Sequence, residues 1–207
     1  MVSLTIISLT LENYIAMEYQ YLASCPEETK TSLIKELENN NLKDIKPGYK
    51  CVFFSGELKN IYTSHLNLST ASNLYKILKT CRVSHLNILY SQAKRINWHQ
   101  EFDSHRTFRV DVILGDRGPN APTSNEVSKR VRQAIEHVFP LKGLSIPKVD
   151  LKDPDITVVV HISRQRATIC LKSSGKAMHK RGYRDSSHPA PLKETVAATI
   201  LKLVGYD

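Results

Sequence analysis

The spacing of apolar residues changes period several times along this chain, and each change predicts an element. "YQYLASC" at 19–25 alternates and is aromatic-rich, which predicts a strand. Pro26 follows, Glu27 and Glu28 suit a first helical turn, and Leu33, Ile34 and Leu37 give a helical stripe that "NNN" at 39–41 ends. "YKCVFFSG" at 49–56 predicts a second strand, closed by Gly56. Residues 57–79 carry two helical patterns separated near Ser69, and the alternation in "CRVSHLNILYSQ" at 81–92 predicts another strand.

From Arg95 the pattern shifts. "RINWHQEF" at 95–102 predicts a short helix with Trp98 as a core anchor. "RTFRVDVIL" at 106–114 puts Phe108, Val110, Val112 and Leu114 on one strand face, and "GDRGPNAPT" is a Gly- and Pro-rich loop. Ser124 or Asn125 is expected to cap a helix with Val127, Val131, Ile135 and Val138 in line, so that Lys129, Arg130 and Arg132 lie away from the apolar stripe. After a connector at 140–155, "ITVVVHIS" is almost continuously apolar, the mark of a strand covered on both faces. "RQR" turns it into "ATICLKSS", a hairpin with Arg164 and Arg166 at its tip. A last helix is expected at 191–204, with Pro191 at its first position, a buried stripe of Leu192, Val196, Ile200 and Leu203, and Gly205 ending it. Strands and helices alternate throughout, which makes the fold α/β, or α+β in its detailed layout.

Charge divides the chain more sharply than hydropathy does. Of the net +9, residues 1–90 carry +1 and residues 91–207 carry +8. A basic half joined to a neutral one points to a polyanion partner, most simply nucleic acid. The candidate contacts are Lys129, Arg130 and Arg132 on the helix, Arg164 and Arg166 on the hairpin, and Lys176, Lys180, Arg181, Tyr183 and Arg184 in the closing segment. Lys and Arg neutralise phosphates, and Tyr or Arg planes stack on unpaired bases.

The same residues exclude several enzyme classes. No Gly-rich turn joins a strand to a helix, so neither a dinucleotide fold nor a P-loop is built. The eight histidines show no metal-ligand spacing, and His161 reads as a satisfied core or face residue. Asp153 and Asp155 flank Pro154 as a turn rather than as a catalytic pair. Cys25, Cys51, Cys81 and Cys170 are widely spaced, fit no zinc site or disulfide framework, and suit a reducing, cytoplasmic setting. No catalytic, cofactor or metal residue is therefore assigned.

"INWHQEF", "TFRVDV", "VSKRVRQAIEHVF", "PKVDLKDPDITVVVHISRQRATICLKSSGKAMHKRGYR" and "APLKETVAA" follow one another in the order seen in the THUMP-containing large-subunit rRNA guanine-N2 methyltransferases, and the second half resembles that family. "DPDITVVVHI", "MHKRGYR" and "APLKET" are its most specific pieces. The first half resembles the N-terminal ferredoxin-like part of the same enzymes. The resemblance implies an organisation of 1–18 outside the family pattern, 19–59 ferredoxin-like, 60–175 THUMP, and 176–207 a linker with the first helix of a truncated methyltransferase domain. It implies an RNA-binding module that presents 23S rRNA to an S-adenosylmethionine-dependent catalytic domain. The family's cofactor loop and Asn/Asp-Pro-Pro-Tyr-type motif are expected after residue 207, so the chain alone is expected to be inactive, with a separate methyltransferase chain as a candidate partner. Two alternatives stand beside this: a THUMP module from a tRNA-modifying enzyme, and an interaction domain whose basic face is incidental.

Overall fold

Residues 18–115, 122–180 and 192–206 are described by a computed structural model of the protein. Strand β1 (Glu18–Ser24) leads through a 3-10 turn into helix α1 (Lys30–Asn39), which buries Leu33 and Leu37. Strands β2 (Lys43–Gly48) and β3 (Cys51–Glu57), helix α2 (Leu58–Asn67) and strand β4 (Asn73–Arg82) follow. β3 pairs antiparallel with both β2 and β1, and β1 with the start of β4, in the order β2-β3-β1-β4. This βαββαβ pattern is the complete ferredoxin-like motif.

The motif includes α2 and the start of β4, and the first compact unit runs to Lys76 and takes in the described residues from Ser173 onward. Ile61, Leu68, Ala71 and Leu74 sit in the same core as Tyr21, Leu33, Leu37 and Phe54. β2 carries no apolar alternation. It is polar and largely exposed, with Lys43, Lys46 and Pro47 suited to a sheet edge, so pattern reading passes over it.

The second unit covers Ile77–Lys172. It holds the end of β4, helices α3 (Leu86–Lys94), α4 (Trp98–Glu101) and α5 (Ser124–Val138), and strands β5 (Phe108–Leu114), β6 (Ile156–Ser163) and β7 (Arg166–Lys172). The strands lie in the order β4-β7-β6-β5, with β5 parallel to β6 and β6 antiparallel to β7. Val158, Val160, Ile162, Ala167 and Ile169 join α3 and α5 in one core. Trp98 is fully buried, donates from Nε1 to the Ala93 carbonyl at 2.9 Å, and meets Phe102 edge-on. Phe102 in turn packs on Phe108 and Phe139.

Two stretches depart from their predicted types. The second helical pattern of 57–79 is strand β4, where adjacent Leu74 and Tyr75 are both buried. Burial on both faces erases the alternation that would mark a strand. The alternating stretch at 81–92 ends β4 and then forms α3, which buries Leu89 and Ala93 at i, i+4 spacing. Tertiary packing overrides local pattern at both places.

Helix α6 (Glu194–Leu203), in the first unit, turns the expected stripe inside out. Thr195 and Thr199 are buried, whereas Leu192, Ile200, Leu201, Leu203 and Val204 are exposed. Pro191 lies outside the described residues, and the N-cap is Lys193. Gly205 (φ +73°) does end the helix: its N–H donates to the Lys202 carbonyl and that of Tyr206 to the Leu201 carbonyl, the paired bonds of a Schellman turn.

Candidate nucleic-acid interface

Helix α5 is N-capped by Thr123, not by Ser124 or Asn125. The Thr123 hydroxyl accepts from the Glu126 N–H, and the Glu126 carboxylate accepts from the Thr123 N–H at 2.8 Å, a reciprocal capping box. The Thr123 N–H and hydroxyl hold the Glu126 carboxyl below its usual range. Beyond this cap Val127, Val131, Ala134, Ile135 and Val138 face the core, and the cations face away.

Those cations differ in their freedom. Lys129 is exposed. Arg130 is half-buried: it donates to Gln133 Oε1 at 3.1 Å and to Asn87 Oδ1 at 2.6 Å, and its guanidinium lies 5.6 Å from the Tyr90 ring centroid. It braces α5 against α3. Arg132 pairs with Glu136 one turn on, at 3.5 Å.

Arg164 and Arg166 lie at one end of the second unit. The parallel register sets Leu114 beside Ile162, so β5 and β6 finish together, and β6 turns into β7 there. The Val83 N–H donates to the Gln165 carbonyl at 2.7 Å, bringing the end of β4 to the same turn. α3 starts three residues further on, at Leu86. Arg82, His85, Arg164 and Arg166 are all exposed here. Arg82 and His85 were missed by pattern reading, because only the β4–β7 neighbourhood brings them to the hairpin.

The turn itself is unusual. Arg164 (φ +46°) and Gln165 (φ +61°) are both left-handed, a geometry that two-residue hairpins ordinarily fill with Asn-Gly or Asp-Gly. Replacing Gln165 with glycine is expected to stabilise the protein by up to about 1 kcal/mol, read as a higher thermal midpoint, since a left-handed Cβ costs roughly that much.

Lys176 and Lys180 are exposed in the first unit. Arg181, Tyr183 and Arg184 lie outside the described residues.

Asp155 accepts from the Thr107 N–H and hydroxyl and pairs with Arg106. Cys25 and Cys51 are buried, which pushes their thiols up to about 11 and about 12. His161 differs from its expectation. It is buried, but Nε2 has no hydrogen-bond partner among the described residues, and desolvation lowers its pKa. Among the described residues no group of three or more His, Cys, Asp or Glu is placed to hold a metal, and no helix is long and apolar enough to cross a membrane.

Residues 83–172 match the THUMP domain family model. The chain is 30% identical over 187 residues, 90% of its length, to ribosomal RNA large subunit methyltransferase K/L of Aeromonas hydrophila, and 32% identical over 190 residues to the protein of that name from Vibrio parahaemolyticus. The matched part is 26% of each, so the chain spans about a quarter of the length of these curated relatives. In fold it is similar to a predicted N6-adenine-specific DNA methylase from Listeria monocytogenes, with a TM-score of 0.80 at 21% identity over 94% of this chain and 50% of that one.

Proposed function

We propose, from the premise that this chain carries a THUMP domain at residues 83–172 and aligns over nine-tenths of its length with large-subunit rRNA methyltransferases K/L, that it is the RNA-binding portion of an rRNA methyltransferase-like protein. The observation that carries this reading is the end of the second unit, where the exposed side chains of Arg82, His85, Arg164 and Arg166 gather around one turn. Lys129 and Arg132 on α5 extend the basic surface, with Lys180, Arg181, Tyr183 and Arg184 as further contacts. Structured large-subunit rRNA is the partner.

Catalysis belongs to an S-adenosylmethionine-dependent domain to which the RNA is presented. The outward aliphatic face of α6 supports such a companion, since Leu203 and Val204 are 68% and 72% exposed and a helix this apolar is normally covered. No residue here is assigned to the cofactor or to chemistry, and the setting that fits is the cytoplasm.

Filter binding of transcribed large-subunit rRNA and of tRNA, each at several salt concentrations, tests the reading. The expected result is tighter binding of rRNA with affinity that falls steeply as salt rises. Preference for tRNA would favour a tRNA-modifying lineage. Binding that ignores salt would mean that the basic surface is incidental.

A further inference from the structure

Two cations face one another across the sheet of the second unit. β4 and β7 are neighbours, the Val83 N–H meets the Gln165 carbonyl, and the hydroxyls of Thr80 and Thr168 lie 3.5 Å apart. Both anchors fit one antiparallel register, and that register sets Arg82 directly opposite Arg166. Their side chains share the face of Thr80 and Thr168, away from the core that holds Val83, Ala167 and Ile169. Ser163 pairs with Arg166 on the other side, so the row reads Arg82–Arg166–Ser163.

Like charges directly opposite in a sheet are destabilising. Neither guanidinium has an ion-pair or hydrogen-bond partner among the described residues. The adjoining turn adds a second cost, with Arg164 and Gln165 both left-handed and neither a glycine. On the next row of the same face, His161 is 9% exposed and its Nε2 is unpartnered, while its strand partner is the buried Thr168. Repulsion, backbone strain and an unsatisfied polar atom thus fall within two rows of one sheet end. Such costs persist where they serve binding.

We propose that Arg82 and Arg166 form a two-arginine clamp on a single backbone phosphate of the bound RNA. Each planar guanidinium offers paired N–H donors to phosphate oxygens, and an anion between them turns their repulsion into shared attraction. The Val83–Gln165 bond fixes the turn against the end of β4 and so holds the spacing of the two arginines. The clamp rests on the RNA-binding reading above and names the group that reading leaves open.

The test uses the full chain as Arg82→Gln, Arg166→Gln and the double variant, against transcribed large-subunit rRNA at several salt concentrations, with a thermal melt of each without RNA. Each single variant is expected to weaken binding roughly five- to tenfold and to lower the log–log salt slope by about 0.7–0.9, the share of one phosphate. The double variant is expected to lose about the same slope as either single, because one phosphate is shared. Without RNA the single variants are expected to melt no earlier than the parent, since repulsion is relieved. An unchanged slope in a folded variant overturns the clamp and leaves the RNA-binding reading standing. A double variant that loses twice the slope overturns it in favour of two separate contacts. Earlier melting of the singles assigns the pair to structure and overturns it too. A parent with no salt-dependent rRNA binding removes the wider reading, and the clamp with it.

Discussion

Replacing Glu36 with alanine is expected to cost the protein about 3 kcal/mol, lowering its thermal midpoint by roughly 6–12 °C at about 2–4 °C per kcal/mol for a chain this size. Glu36 is 5% exposed on α1. Its Oε1 accepts from the N–H and hydroxyl of Ser69, at 3.1 and 2.5 Å, and its Oε2 from the N–H and hydroxyl of Thr70, at 3.0 and 2.5 Å. The carboxylate therefore ties α1 to the loop between α2 and β4, and alanine would leave the buried Thr70 donors with nothing to meet. Lys202 of α6 completes the arrangement at 3.3 Å. Its side chain is 41% exposed, so Lys202→Gln is expected to cost under about 1 kcal/mol.

The same carboxylate sets an acid limit. Burial works against its charge, yet the hydrogen bonds from Ser69 and Thr70 outweigh burial and hold the pKa below the ordinary glutamate value. A group whose folded pKa is lowered contributes stability that is present above its unfolded pKa and is lost as pH falls through the folded one. Thermal melts in acid should therefore lose stability more steeply for the parent than for Glu36→Gln, which has no proton to take up there. Equal slopes on the acid limb would assign the loss to other carboxylates.

Much of this could be read from local sequence, and the failures share one cause. β5 and α5 announce themselves because each keeps a single period over seven or more residues, and β6 and β7 because they are unbroken apolar runs either side of a turn. β4 does not, because Leu74 and Tyr75 are covered on opposite faces. The face that α6 buries is not its aliphatic one: Thr195 and Thr199 are buried, with the Thr199 hydroxyl donating to the Thr195 carbonyl, and the larger aliphatic side chains lie outside. The candidate interface follows the same rule. Arg164 and Arg166 were legible from the turn between two apolar runs, whereas Arg82 enters the site only through a strand pairing spanning more than eighty residues of chain.

Neutralising Lys129 and Arg164 together as Lys129→Gln/Arg164→Gln is expected to weaken rRNA binding on the order of 100-fold and to lower the salt slope by about 1.5–2. Lys129 is exposed on α5, and Arg164 lies on the exposed turn. Arg130 is the contrasting position. Its bonds to Asn87 and Gln133 and its place over Tyr90 mean that Arg130→Gln should lower the melting midpoint as well as the affinity, because α3 and α5 lose their brace. Arg132 supplies a test of opposite sign. Glu136 holds it at 3.5 Å, with both side chains partly exposed, so Glu136→Gln should release the guanidinium and also remove a negative charge from the basic surface. On the RNA-binding reading this variant binds more tightly and its salt slope steepens by up to about one unit. If instead the basic face is incidental and the chain recognises a protein, Glu136→Gln changes neither quantity, and the double variant at Lys129 and Arg164 binds rRNA as the parent does.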